Sequence, residues 1–327
     1  MKTKARQRLI ISSASGPDFS KRMGLEHLQD RLTIEERFSG RHPGLRRLLV
    51  RFFRKNFFRL SIHSFLALIG KRAECRREQA TPITRINSIE FPDRIKGTPE
   101  SIRILHLSDL HIDASPSLAF YAADLIRSMQ PDFAVITGDY FNGYRVPDAK
   151  IHELLDPILE CLSCPVFGIL GNHDSLSCVP HLEKRGVRML LNESAVFESF
   201  GIRVLISGID DPHLFKTHDI PHALQSVQQD MERFHLKLLL SHAPSTFREA
   251  EKAGFDLMLS GHTHGGQFCL PKGRPLATNG KYPRFVVKGP WMYKSLYGYT
   301  SHGLGTGTPA LRMNCPAEIT LHEIRFS

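Results

Sequence analysis

The stretch that decides the fold is residues 102–111, IRILHLSDLH, in which an apolar run ends in a serine, an aspartate and a histidine. The run predicts a buried strand, and the polar residues after it predict a loop at the carboxyl end of that strand. Asp109 and His111 therefore lie where open α/β sheets hold their functional groups. An aspartate two residues before a histidine is weak evidence alone, because this spacing occurs by chance in many proteins.

The same form recurs along the chain, as a short apolar run followed directly by polar residues. It is found in residues 132–140, 165–174, 201–211, 236–244 and 255–266. Helical patterns lie between these runs, in residues 116–131, 151–163 and 223–234. Short apolar strands that alternate with helices predict a layered α/β domain.

Ligand-type side chains collect at the ends of these predicted strands. They are Asp109, His111, Asp139, Asn172, His173, Asp174, His242, His262 and His264. Mn²⁺, Fe²⁺ and Zn²⁺ prefer such mixed nitrogen and oxygen sets, and the lack of cysteine among them argues against a structural zinc site. Two such ions, bridged by one carboxylate, would suit an in-line displacement at phosphorus.

In order, these residues form the blocks D-x-H, GD, GNHD, a histidine after a strand, and GHTH. This ordered set resembles the calcineurin-like metallophosphoesterases, over a match that begins at about Ile102 and runs toward the end of the chain. The resemblance implies a four-layer α/β/β/α sandwich of two packed sheets. It also implies a metal-dependent hydrolase of phosphoesters or pyrophosphates.

The resemblance further implies a role for each residue. Seven residues would hold two divalent ions: Asp109, His111 and His264 the first, Asn172, His242 and His262 the second, and Asp139 both. Manganese is favoured for these ions, with iron and zinc as alternatives. Beside them, His173 would protonate the leaving group and Asp174 would orient His173.

The positive charge of the chain is concentrated near its start. Residues 1–80 carry 19 of the 43 Lys and Arg residues and 7 of the 33 Asp and Glu residues, a formal charge of +12, whereas residues 81–327 sum to −2. We therefore expect a basic, helical N-terminal extension over residues 1–95 and a metallophosphoesterase domain over residues 96–327.

Within the extension, residues 45–70 place Leu and Phe on one helical arc and Arg and Lys on the opposite one. This pattern favours a helix in the headgroup region of an anionic membrane. The alternative is a helix docked on the enzyme, and both can hold together. We expect a cytoplasmic protein at the periphery of the inner membrane, because six scattered cysteines suggest reduced thiols and no run of 18 apolar residues occurs. Export through the twin arginine Arg46-Arg47 is the alternative.

The substrate is less defined than the reaction. A basic extension ahead of a GHTHGGQ-type domain resembles the organisation of the chlamydial-type UDP-2,3-diacylglucosamine pyrophosphatases, which release UMP and 2,3-diacylglucosamine 1-phosphate (lipid X) during lipid A synthesis. The alternative is a phosphodiesterase or phosphatase of another small or lipid substrate. A nuclease is disfavoured, because the catalytic part lacks the excess of positive charge that phosphate backbones attract.

Some polar and aromatic residues remain open to two interpretations from sequence. Asp210 and Asp211 could contact substrate at a strand end or form a turn before Pro212. Trp291, Tyr293 and Tyr297 could line the pocket or belong to the core.

Overall fold

The computed structural model describes residues 8–10, 18–40, 60–92, 100–142, 148–307 and 309–326. The strands in these residues are β1 (Arg8–Ile10), β2 (Ile83–Phe91), β3 (Glu100–Leu107), β4 (Phe133–Ile136), β5 (Val166–Gly168), β6 (Val187–Met189), β7 (Glu193–Ser199), β8 (Ile202–Gly208), β9 (Leu236–Leu240), β10 (Leu257–Ser260), β11 (Cys269–Leu270), β12 (Arg274–Pro275), β13 (Gly289–Tyr293), β14 (Leu296–Thr300) and β15 (Glu318–Phe326). The helices are α1 (Phe19–Met23), α2 (Leu25–Gly40), α3 (60–68), α4 (Arg72–Ala80), α5 (Ser117–Ile126), α6 (Asp148–Leu159), α7 (Val179–Lys184), α8 (Ile220–Leu224) and α9 (Phe247–Lys252).

Two large sheets carry the fold. One has the strand order β2-β15-β3-β4-β5-β6, the other has the order β1-β7-β8-β9-β10-β14-β13, and β11 and β12 form a small separate ribbon. Strands β3, β4, β5 and β6 run parallel to one another, as do β8, β9, β10 and β14, so their carboxyl ends share one edge in each sheet.

The two sheets pack face to face over a core to which both contribute. This core includes Ile104, Val135 and Phe167 from the six-stranded sheet and Ile206, Leu238 and Leu259 from the seven-stranded sheet. The outer face of the six-stranded sheet is covered by α5, α6 and α7, and that of the seven-stranded sheet by α8 and α9. The predicted four-layer α/β/β/α sandwich is confirmed. Strands buried on both faces are nearly all apolar, which explains their continuous apolar runs.

Of the three helices predicted between the strands, two are confirmed. The prediction over residues 116–131 corresponds to α5, which ends at Ile126, and that over 151–163 to α6, which ends at Leu159. The prediction over 223–234 is wrong in extent, because α8 ends at Leu224 and Gln228–Arg233 forms a 3-10 helix with no buried residue. Without an apolar face to bury, that segment gains no tertiary stabilisation as an α-helix.

Part of the N-terminal segment belongs to the same packed unit. Strand β2, within residues 1–95, pairs in parallel with β15 along its whole length, from Ile83 opposite Glu318 to Phe91 opposite Phe326. The division of the chain at residues 95 and 96 stays a prediction.

Of the predicted amphipathic segment 45–70, residues 45–59 lie outside the described part and residues 60–68 form α3. Helix α3 packs on the rest of the structure through Leu66, which contacts Cys75 of α4 and Leu311. Ile62 packs against the same cluster, whereas Leu60, Phe65 and Leu68 face outward, with Phe65 56% and Leu68 86% exposed. None of the helices in the described residues combines the length and apolar character that a membrane span requires.

Candidate metal centre

The nine predicted site residues all follow strands whose carboxyl ends face one another across the two sheets. Those of the six-stranded sheet come after β3, β4 and β5, and those of the seven-stranded sheet after β9 and β10. The loops of β4 and β5 touch, because a Cβ added at Gly138 would lie 2.4 Å from the backbone nitrogen of Gly171. Only glycine allows that approach, and Gly138 also has a φ of +89°.

The backbone is strained at the predicted ligands themselves. A positive φ occurs at five non-glycine positions among the seven: Asp109 (48°), His111 (37°), Asp139 (56°), His262 (67°) and His264 (51°). Each such conformation costs on the order of 1–3 kcal/mol and persists only where the surroundings impose it. The left-handed turns aim successive polar side chains from each loop into one space, as a shared ligand set requires.

One group of atoms converges around the side-chain oxygen of Asn172. Its Oδ1 atom lies 2.6 Å from Nδ1 of His262 and 3.0 Å from Nε2 of His242. Nε2 of His242 is also 3.3 Å from Oδ2 of Asp139. Because Nδ1 of His242 lies 2.7 Å from the carbonyl oxygen of Thr137, that bond assigns the proton to Nδ1 and leaves Nε2 as a ligand atom.

A second group lies beside the first. Asp109, His111 and His264 each offer one ligand atom within 4.8 Å of the others, and Asp109, Asp139 and His242 form an overlapping set of the same kind. The His111 and His264 rings stack with their centroids 5.2 Å apart. Oδ2 of Asp139 is 3.5 Å from Nε2 of His111, so this carboxylate faces both groups.

Three ring nitrogens in these groups are free to bind a metal ion. Both ring nitrogens of His111 and Nδ1 of His264 are buried without a hydrogen-bond partner. Burial lowers the pKa of His111, His262 and His264, so their imidazoles are neutral at pH 7, the form that binds metal.

The charge balance of the two groups also points to bound cations. Burial alone would lower the pKa of His242, but the adjacent Asp139 and Asp109 raise it to about 10. Burial likewise disfavours a charged Asp139, yet His242 and His173 hold its pKa well below the usual value. Positive charge beside the two carboxylates is therefore favoured. His242 carries it as a proton on Nε2, which a bound divalent ion would displace, and the donor set fits two such ions.

The carboxylate of Asp174 has partners other than the expected ones. It accepts backbone hydrogen bonds from Asp139 (2.7 Å), Tyr140 (3.0 Å) and Gly171 (2.7 Å), which ties the loops after β4 and β5 together. The ring of His173 is instead held by the carbonyl oxygen of Asn142, 3.0 Å from Nδ1. A buried carboxylate aimed at three N–H groups is a backbone clamp, so the expected Asp174-to-His173 hydrogen bond is replaced by the Asn142 contact.

His173 lies at the edge of the ligand groups. Its ring stands perpendicular to that of His111, with the centroids 5.3 Å apart. Its backbone N–H donates to Oδ1 of Asp139 at 2.8 Å. The side chain is therefore next to the predicted ligands without being part of either group.

Asp210 and Asp211 both serve the local structure. The carboxylate of Asp211 accepts the backbone N–H groups of His213, Leu214 and Phe215, which forms the turn after Pro212. Asp210 pairs with Arg31 of α2. Trp291 and Tyr293 pack in the core beneath α9, and Tyr297 packs against Phe91, so these aromatic residues are structural.

Two residues near the ligand groups are not among the predicted site residues. The ring of His213 lies 4.2 Å from that of His262, and Asn279 donates to the carbonyl oxygen of His262 at 3.0 Å. His213 follows strand β8 and so fits the pattern of polar residues after apolar strands, whereas Asn279 lies in no recognisable pattern.

The buried guanidinium of Arg312 supports the loop after β10 from behind. It donates to the carbonyl oxygens of His264 (3.4 Å), His302 (2.6 Å) and Gly305 (2.6 Å). No sequence rule pairs an arginine with main-chain carbonyl groups of distant loops, so this contact could not be predicted.

The sequence is similar to one protein family and to several known proteins. Residues 102–266 match the family model described as calcineurin-like phosphoesterase. The uncharacterized metallophosphoesterase YkoQ of Bacillus subtilis is 30% identical over 261 residues, which cover 75% of this chain and 92% of that protein. The phosphodiesterase YaeI of Escherichia coli is 27% identical, over 70% of this chain and 84% of its own. The UDP-2,3-diacylglucosamine pyrophosphatase LpxG of Chlamydia muridarum is 25% identical, over 67% of this chain and 82% of its own.

Proposed function

The chain belongs to the calcineurin-like phosphoesterase family and is a metal-dependent phosphoester hydrolase, and we propose that it cleaves the pyrophosphate of a lipid-linked nucleotide at a membrane surface. The observation that carries the hydrolase assignment is the meeting of the two ligand groups at Asp139, whose Oδ2 lies 3.5 Å from His111 and 3.3 Å from His242. Such a carboxylate is suited to bridge two ions.

We assign the ligands as the sequence predicts. Asp109, His111 and His264 would hold the first ion, Asn172, His242 and His262 the second, and Asp139 both. When bound, the two ions supply positive charge to the phosphoryl oxygens and activate a water molecule for attack. Mn²⁺ is the proposed metal, with Fe²⁺ and Zn²⁺ as alternatives that metal analysis of the purified protein distinguishes.

The protein's own groups complete the chemistry. Nδ1–H of His173 donates to the carbonyl oxygen of Asn142, which assigns proton delivery to Nε2. As the bond between phosphorus and the leaving oxygen breaks, the Nε2 proton passes to that oxygen and His173 becomes neutral. Asp174 acts indirectly, because it holds the backbone of Asp139 and Gly171 on either side of the site.

Two observations support a lipid-linked substrate. The relative LpxG is a UDP-2,3-diacylglucosamine pyrophosphatase, so the proposed products are UMP and 2,3-diacylglucosamine 1-phosphate. Helix α3 presents Phe65 and Leu68 outward and is followed by the exposed basic residues Lys71 and Arg72. Exposed apolar residues followed by exposed basic residues suit an anionic membrane surface, and the location that we propose is the cytoplasmic side of the inner membrane.

The test is hydrolysis of UDP-2,3-diacylglucosamine in mixed detergent micelles by the Mn²⁺-loaded protein. We expect release of UMP, and a His173→Ala variant should keep its metal and release UMP more slowly. No release of UMP from this lipid, with turnover of other phosphoesters intact, would overturn the substrate proposal and leave the hydrolase assignment standing.

The second candidate is a phosphodiesterase of another small or lipid substrate. The relative YaeI, a phosphodiesterase with slightly higher identity over a similar share of the chain, favours it. Turnover of bis-p-nitrophenyl phosphate and nucleotide diesters, with none of the lipid, would select this candidate. Nucleic acid stays disfavoured, because residues 81–327 carry a formal charge of −2.

A further inference from the structure

The helix α2 carries a fully buried arginine that faces the catalytic domain. The Arg31 side chain is 0% exposed and its Nη1 atom pairs with the carboxylate of Asp210. Its Nη2 atom donates to the carbonyl oxygen of Asp174 at 2.7 Å, and its guanidinium lies 3.9 Å over the ring of Phe215. Every one of these partners belongs to a loop at the carboxyl edge of a sheet.

One helical turn later, Glu35 makes a second set of contacts with the same loop. Its carboxylate accepts from Oγ of Ser175 at 2.8 Å and from the backbone N–H of Leu176 at 3.0 Å, and it pairs with Nε of Arg31 at 3.0 Å. Helix α2 therefore holds residues 174–176 directly after Asn172 and His173.

The arginine also spans the two sheets. Asp174 belongs to the loop after β5 of the six-stranded sheet, whereas Asp210 follows β8 of the seven-stranded sheet. The second group of predicted ligands is divided in the same way, with Asn172 on the first sheet and His242 and His262 on the second. Their contacts of 2.6–3.0 Å therefore depend on how closely the two loops are held.

We propose that Arg31 is a positioning residue for the reaction. Helix α2 is then required for full activity, because it carries this residue. Arg31 fixes the Asn172–His173 loop against the seven-stranded sheet through the carbonyl of Asp174 and the carboxylate of Asp210. The inference rests on the proposed function, because it assigns Asn172 to the second metal ion.

Arginine suits this task better than lysine. Its planar fork donates from separate nitrogens to Glu35, Asp210 and Asp174 at the same time. A lysine would keep the charge but lose the fixed fork, so Arg31→Lys should retain the pair with Asp210 and loosen the loop.

A matched control lies in the same extension. Arg22 of α1 is 3% exposed, pairs with Glu183 and Glu193, and donates to the carbonyl oxygen of Met189 at 2.7 Å. It is another buried arginine that joins an N-terminal helix to the domain, but none of these partners is a predicted ligand or adjoins one. Arg22→Met should therefore reproduce the structural loss of Arg31→Met without its effect on the site.

The experiment compares Arg31→Met, Arg31→Lys and Arg22→Met in the full chain. Mn²⁺ affinity is measured by titration calorimetry, turnover with bis-p-nitrophenyl phosphate, and stability by thermal unfolding. We expect all three variants to be less stable than the wild type. Only the Arg31 variants should bind the second Mn²⁺ about 10–100-fold more weakly, the range typical of residues that support metal ligands, and lose kcat with little change in KM.

Glu35→Gln keeps the proposal testable if Arg31→Met does not fold. It preserves the size of the side chain and weakens the contacts with Arg31, Ser175 and Leu176, so it should lower Mn²⁺ affinity in the same direction by less. Equal Mn²⁺ affinity and kcat in the Arg31, Glu35 and Arg22 variants would overturn the proposal. A wild-type chain that binds no Mn²⁺ and hydrolyses no phosphoester would instead overturn the proposed function on which it rests.

Discussion

Nε2 of His242 lies 3.3 Å from Oδ2 of Asp139, although the two residues follow strands of different sheets. Because the two sheets pack face to face, the carboxyl ends of their strands lie close together. Side chains that are more than a hundred residues apart in sequence therefore meet at this site. The site depends on the packing of the whole sandwich as much as on any single loop.

Replacement of Asp139 tests the proposed bridge. Asp139→Asn should lower kcat/KM by more than the ~10–100-fold typical of residues that only support ligands, because it removes a charge shared by both ion sites. The bound metal, measured by plasma mass spectrometry, should fall below two ions per chain. Asp256→Asn is the control, since this buried carboxylate accepts from the backbone N–H of Lys237 at the opposite ends of β9 and β10. Two ions per chain in Asp139→Asn would contradict the assignment.

Proton delivery by His173 predicts a dependence on the leaving group. His173→Ala should lose about 10²–10⁴-fold in turnover of an alkyl phosphodiester, whose leaving oxygen needs a proton. The loss should be much smaller with a p-nitrophenyl ester, since nitrophenolate leaves unprotonated. Rates on the two substrates, measured with equal metal content, check this. An equal loss on both would assign His173 a role in positioning or charge stabilisation.

The backbone clamp at Asp174 predicts a loss of stability. An asparagine there keeps one acceptor oxygen and turns an amide NH₂ toward N–H groups, so at least one buried donor of Asp139, Tyr140 or Gly171 loses its partner. Each buried group left unsatisfied costs about 1–3 kcal/mol, and Asp174→Asn should lower the free energy of unfolding by at least that amount. Urea denaturation measures the change. An unaltered midpoint and slope would show that the three hydrogen bonds contribute nothing net.

The buried carboxylate of Glu318, away from the metal centre, should make the stability of the fold depend on pH in the acidic range. Glu318 accepts from Tyr299, His302 and Arg85. Burial opposes its ionisation, but His302 and Arg85 lower its pKa below the ordinary value of 4.5. Because the folded-state pKa is depressed, this stabilisation is present above pH 4.5 and is lost as pH falls through the folded-state value. Glu318→Gln should therefore be less stable than the wild type at neutral pH and lose less on acidification, in urea midpoints taken from pH 3 to 7. Parallel curves would refute the prediction.

The outward face of α3 predicts binding to anionic vesicles. A Phe65→Ser/Leu68→Ser variant should bind vesicles containing phosphatidylglycerol at least about tenfold more weakly, since each large apolar side chain contributes roughly 1.5–3 kcal/mol when fully buried. Vesicle co-sedimentation measures the change, and turnover of a water-soluble diester should stay the same. Phe200→Ser is the control, because Phe200 is 63% exposed in the turn between β7 and β8. Equal binding by the two variants would exclude α3 as the membrane contact.

The strands that lead into the site could be predicted because their signals are local. An apolar run such as residues 257–260 and the GHTH that follows it are contiguous, so one segment carries both the strand and its site residues. The strands β7, β13 and β14 have no predicted site residues at their ends, so this signal does not mark them.

The docking of α2 could not be predicted, because its signal is not local. Arg31 lies 179 residues from Asp210 and 143 residues from Asp174 in sequence, and no periodicity links a helical arginine to a carbonyl group that far away. The left-handed backbone at Asp109 and His264 was equally hidden, since glycine is the usual marker of that conformation and these positions hold other residues.

The pairing of β15 between β2 and β3 has a consequence for how the protein is made. Residues 318–326 are synthesised after every other described strand, so the six-stranded sheet stays split between β2 and β3 until these residues emerge from the ribosome. During that interval both strands present unpaired N–H and C=O groups to neighbouring nascent chains. Completion of the sheet, and of the core behind the site, is therefore a late step after translation of the metal-binding segments.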